Sequence, residues 1–146
     1  MKSKISAVIS CLLAVFLLSL TVHAEQGAVS EIITYNLSES GAETIQEWID
    51  TTLAENAGTS SEWYAIALSK SDEYDFTAYK DALEAYVESN DIRSATSRQK
   101  YSLALLAVRS NSDYIAETME NSVGEQGLMS YVYGLHMLNN GCTSAV

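Results

Sequence analysis

Three ten-residue stretches, "EWYAIALSKS" from Glu62, "QKYSLALLAV" from Gln99 and "MSYVYGLHML" from Met129, can be laid over one another in the same phase. Tyr64, Tyr101 and Tyr131 align. Three residues on stand Ala67, Ala104 and Gly134, and the next position holds Leu68, Leu105 and Leu135. The pattern Tyr-x-x-small-Leu therefore recurs after 37 and then 30 residues. Periods of this size belong to stacked helical hairpins, units that bury their apolar faces only against a neighbour. A bulky residue in the small slot would hold a neighbouring helix away. Glycine in a helix costs about 1 kcal/mol against alanine, so Gly134 implies close packing as compensation.

The residues between the copies are helical as well. "SGAE" at Ser40 to Glu43 has the form of a capping box, and Ile45, Trp48, Ile49, Thr52 and Leu53 then share one face before Gly58. A second helix opens at Ser60 or Ser61, with Trp63, Ile66 and Ala67 as its apolar face and Tyr64 and Leu68 beside it. A third runs from about Thr77 to Ser89 with Tyr79, Leu83, Tyr86 and Val87 on one stripe. A fourth covers about Ser94 to Val108, carrying Tyr101, Ala104, Leu105 and Val108. A fifth starts at Ser112 with Ile115 and Met119 inward, and a sixth ends at Asn140-Gly141. Each odd helix pairs with the one after it, which makes three antiparallel αα-hairpins. The sequence holds no proline, so none of these helices is kinked by one.

The first 24 residues have the three regions of a secretory signal peptide: Lys2 and Lys4, the apolar run "ISAVISCLLAVFLLSL", and "TVHA" before the cut. Cleavage is expected after Ala24. The run is short for a spanning helix, so membrane contact is expected only in transit. Cys11 lies too far from the cut for a lipoprotein. Residues 25–41 are polar around a β-like patch, "EIITYNL", and read as a linker or an edge strand; residues 42–146 form the hairpin domain. Loss of the leader removes two lysines and no acid, which takes the net charge from −11 to −13. A charge of that sign argues against nucleic-acid binding, because phosphates must be neutralised by Lys and Arg. Cys142 would then be the one cysteine left, without an internal partner. "NLS" at Asn36 fits a glycosylation sequon, which has meaning only in a eukaryotic secretory route.

Tetratricopeptide-like repeats have a similar period, but there the small residue and tyrosine sit on the first helix and a proline ends the repeat. The segments "QEWIDTTLAENAGTSSEWYAIALSKSDEYDFTAYKDALEAYV" and "GEQGLMSYVYGLHMLNNG" resemble instead the secreted bacterial α/α-toroid proteins with prenyltransferase and squalene-cyclase type repeats. The resemblance covers about residues 44–141. It implies an all-α fold in which paired helices form two concentric rings around a ligand cavity, a terpenoid-cyclase-like architecture. Six hairpins usually close such a ring and three are present, so the chain reads as an N-terminal fragment of a toroid. The Gly-Gly-Trp-type repeats of that family do not occur here.

No motif for chemistry accompanies the resemblance. The cyclase branch protonates its substrate with an Asp-x-Asp-Asp motif, and none is present. Asp72, Glu73 and Asp75 in "SDEYD" lie between two helices, where Asp75 can cap a helix and the cluster is expected to be solvated, a calcium or catalytic role being the alternative. Zinc requires three or four ligands, and beyond the leader one His and one Cys remain, His136 and Cys142. His136 reads as a half-buried side chain, and no metal or cofactor is expected. Serine nucleophiles lack an elbow motif or a base oriented by a third group. The aromatic residues Trp63, Tyr64, Tyr101 and Tyr131, with Tyr133, are candidates for lining an apolar ligand site; packing between helices is the competing account.

The sequence therefore argues for a secreted or cell-surface helical-repeat module that binds a small apolar ligand or a partner protein without catalysing a reaction. It could also self-associate through an open repeat end. The alternative is a fragment of a terpene cyclase or prenyltransferase-like enzyme whose active residues lie elsewhere.

Overall fold

The computed structural model describes residues 30–142, and the leader, with Cys11, lies outside them. The chain divides into two units, Met1–Ala42 and Glu43–Val146. All the regular structure among the described residues is helical. The all-α class is thus established.

In the first unit, residues 30–40 form a helix, α1, where a linker or edge strand is expected from "EIITYNL". Propensity for strand is a weak preference that context overrides. Here Thr34 Oγ1 donates to the Ser30 carbonyl at 2.8 Å and Asn36 Nδ2 to the Ile32 carbonyl at 2.7 Å, so both polar side chains bond back along the helix. Ser40 does not open the next helix. Its Oγ donates to Leu37 O and accepts from Ala42 N–H, and so closes α1.

The second unit begins with α2 (Ile45–Trp48), which widens into a π turn at Ile49–Leu53. The capping box lies four residues beyond the expected one. Thr44 Oγ1 accepts from Glu47 N–H at 3.1 Å, and Glu47 Oε2 accepts from Glu43 N–H at 2.8 Å. α3 (Glu62–Leu68), α4 (Thr77–Ser89), α5 (Ala95–Ala107), α6 (Asp113–Ser122) and α7 (Leu128–Asn139) follow. Ser94 and Ser112 cap α5 and α6 through Ser97 N–H and Tyr114 N–H. Asp75 Oδ1 accepts from the N–H and hydroxyl of Thr77 at the start of α4, and these bonds hold its carboxyl below the usual carboxylate range.

α5 is the helix the others share. It packs against α3, α4, α6 and α7, whereas α6 and α7 touch each other slightly; the π turn meets α3 and α4. Tyr101 to Leu105 are buried in succession, as befits a helix covered on all sides. The core joins them to Trp48, Ile49, Leu53, Tyr79, Leu83, Val87, Ile115 and Met137. Two glutamines fasten loops by mimicking backbone. Gln46 bonds both the N–H and the carbonyl of Asp75, and Gln126 bonds Ala95 N–H and the Arg93 carbonyl.

Candidate functional site

α3 faces the core with the side opposite to the one its apolar pattern indicates. Ser61, Glu62 and Ala65 are buried, whereas Trp63 is 52% exposed, and Tyr64 and Ala67 also face solvent. The cause is polar. Glu62 Oε1 accepts from Gly58 N–H at 2.6 Å, and Oε2 stands 2.8 Å from Lys100 Nζ on α5, outside hydrogen-bond alignment but at ion-pair distance. The same ammonium lies 4.8 Å from the centre of the Tyr101 ring. Tyr101 is buried and donates its hydroxyl to the Gly58 carbonyl at 2.7 Å. Gly58 thus serves Glu62 with its N–H and Tyr101 with its carbonyl. Its φ of +83° suits glycine, and an added Cβ would enter the Tyr86 ring.

This buried knot raises the tyrosine pKa values around it. Burial pushes Tyr79 well above the usual tyrosine range, and the charge of Glu62 adds to the rise. Tyr101 is pushed up in the same direction, first by burial and then by Tyr86. On α6, burial pushes Tyr114 up to about 12. Burial also raises the Cys142 thiol, which is a free thiol in this unit.

The four aromatic candidates for a ligand site fall in different settings. Tyr101 belongs to the core and meets Tyr86 edge-on at 5.6 Å. Tyr64 lies edge-on to Trp48 at 5.1 Å, and Trp63 lies tilted against Tyr133 of α7 at 6.2 Å. Tyr131 is exposed, with its hydroxyl beside Gly124. The three repeat positions are likewise unequal: Leu105 is buried, Leu68 is partly covered, and Leu135 is 61% exposed. His136, expected half-buried, faces solvent.

Three open cavities are lined chiefly by polar groups and by none of the four aromatic candidates. One of about 340 Å³ lies among Asp72, Asp75, Lys80 and Arg109. Another of about 340 Å³ is bordered by Arg98, Tyr114 and Glu125, and one of about 740 Å³ by Glu84, Glu88, Asp113 and Glu117. Among the described residues no group of three or more His, Cys, Asp or Glu side chains could hold a metal ion, and no helix is long and apolar enough to cross a membrane.

α7 is turned inside out. Its buried residues are Ser130, Gly134 and Met137, while Leu128, Met129, Tyr131, Val132, Leu135 and Leu138 are exposed. Short-range geometry enforces this orientation. Ser130 Oγ accepts from Gly124 N–H and donates to the Gly127 carbonyl, and the Ser130 carbonyl accepts from Gln99 Nε2 at 2.9 Å. A Cβ at Gly134 would come within 2.8 Å of Val123 Cγ2, so close packing at the small slot is real there. The sequence pattern hid this face, because apolar residues occur all around α7 and periodicity cannot choose among its sides. From Gly127 to Cys142 there is no Asp, Glu, Lys or Arg, in a chain of net charge −11. No protein-family model, curated protein or solved structure matches the chain.

Proposed function

We propose that the chain is an exported, non-catalytic helical module that docks a protein partner through the outer face of α7. One observation carries this reading: six large apolar side chains of a single helix stand in solvent, on a stretch without charge. Contiguous apolar surface of that kind marks an interaction site. Full burial of a Leu or Val side chain contributes about 1.5–3 kcal/mol, and half-exposed ones keep a good part of that to be gained on binding. The exposed Trp63, set against the half-buried Tyr133 of α7, adds aromatic surface on the same unit. A protein partner suits this face better than a small apolar ligand, since a helix surface offers a long stripe and the cavities offer polar walls.

Export rests on the leader-like residues 1–24. The finer architecture, three antiparallel hairpins arranged as in an α/α toroid, belongs to the same proposal. Its support is the resemblance of the helical segments and the packing of α4 on α5 within one pair. The sharing of α5 by four helices is the feature such an arrangement must accommodate.

Site-specific photo-crosslinking tests the docking reading. A photoreactive residue at Leu135, in the cells that make the protein, should give a discrete adduct with a polypeptide. The same residue at exposed Glu88 should not. Equal, diffuse labelling at both positions, or none, would sink the reading.

A further inference from the structure

The spacing of the exposed α7 residues specifies a partner. Leu128, Tyr131, Leu135 and Leu138 are separated by 3, 4 and 3 residues, the interval of a seam between two packed helices. All four are exposed. The order 3-4-3 reads the same in both directions. A two-fold axis passing at the level of residue 133 therefore sets Leu128 opposite Leu138 of a second helix and Tyr131 opposite Leu135. Such a contact is isologous, each surface meeting its own copy.

Charge decides against most other self-contacts. A chain of net charge −11 that meets its own copy sets carboxylates against carboxylates over much of its surface. Gly127 to Cys142 is free of charged residues, so two α7 faces meet without that repulsion. We infer that α7 pairs antiparallel with α7 of a second copy of this chain, through Leu128, Tyr131, Leu135 and Leu138. The inference rests on the docking reading above and names the partner.

Sedimentation velocity on the whole purified chain, over a range of concentrations, tests it. The wild-type chain forms a dimer. Leu135→Glu and Tyr131→Lys each weaken it by about tenfold or more, the usual effect of a charge placed in an apolar contact. Both positions face solvent, and circular dichroism confirms that each variant keeps its helices. Mixing the two variants restores a heterodimer, because antiparallel pairing sets position 135 of one chain against position 131 of the other. Parallel pairing sets like positions together and gives no rescue, so a dimer that mixing does not restore overturns the proposed register. A dimer indifferent to both substitutions overturns the inference, as does a wild-type chain that stays monomeric or that binds neutral phosphatidylcholine vesicles as a monomer. If the chain is monomeric but the Leu135 crosslink to another polypeptide persists, the docking reading stands and only the identity of the partner falls.

Discussion

Lys100 Nζ stands 2.8 Å from Glu62 Oε2, and this pair joins α3 to α5 from opposite sides of the solvent boundary. Glu62 is fully buried, while the Lys100 side chain keeps 20% of its surface in water. Removing the cation strands a carboxylate in the core. Because Lys100 is partly hydrated, Lys100→Met should cost about 2–3 kcal/mol, less than the roughly 3–5 kcal/mol of a fully buried broken pair. The double variant Glu62→Gln, Lys100→Met should cost less than the two single losses together, as residues in contact do not add. Urea unfolding of the four proteins measures the coupling; strict additivity would show that the pair does not act as one.

Gly134 lies 2.8 Å, at the position a Cβ would take, from Val123 Cγ2. Alanine there gains about 1 kcal/mol of helix propensity. Val123 is stiff and gives little way, so Gly134→Ala should still destabilise by about 1 kcal/mol. In a Val123→Ala background the same change should become neutral or stabilising. Thermal unfolding of the cycle checks this, and an unchanged penalty in that background would place the clash elsewhere.

α7 should respond to substitution according to its reversed orientation. Leu128→Gln, on the exposed face, should change the stability of the monomer by no more than about 0.5 kcal/mol. Met137→Ala, at a position with no exposure, should cost about 2–4 kcal/mol. Denaturant midpoints at low protein concentration compare the two. Losses in the reverse order would mean that α7 faces the other way.

Stability should fall steeply in alkali. Tyr79, Tyr101 and Tyr114 all have pKa values raised in the fold, foremost by burial, Tyr114 to about 12. An unfolded tyrosine ionises near about 10, so the unfolded chain releases these protons first. Their contribution is complete below that pH and is lost as pH rises through the folded values. Tyrosinate absorbance should lag behind the model titration until the helical signal collapses, and Tyr79→Phe should flatten the pH dependence. Full ionisation of a still-helical protein near pH 10 would contradict the burial argument.

Local signals located α4 to α7 well. The stripe Tyr79, Leu83 and Val87, the caps Ser94 and Ser112 and the stop at Gly141 are all matters of neighbours within a few residues. The orientation of α3 was out of reach for the same reason. Its buried side is fixed by Lys100, far along the chain, and a Glu after two serines reads as an exposed first-turn acid. The aromatic candidates illustrate both cases. Tyr101 sits on a correctly read stripe and proves to be core, while Trp63 belongs to an apolar face that turns outward, with Tyr64 beside it. The 3-4-3 spacing of Leu128, Tyr131, Leu135 and Leu138 stands in the sequence, but only the contacts of Gly134 and Ser130 show which side of α7 is covered.

The shared position of α5 has a consequence in time. A polypeptide is made from its N-terminus, and α2, the π turn, α3 and α4 leave the ribosome before α5 exists. The π turn, α3 and α4 can gather loosely on one another, yet Glu62 must stay hydrated until Lys100 emerges, and Gly58 waits for the Tyr101 hydroxyl. During synthesis Glu62 thus lacks its cation, and Gly58 its hydroxyl partner, until α5 has been made.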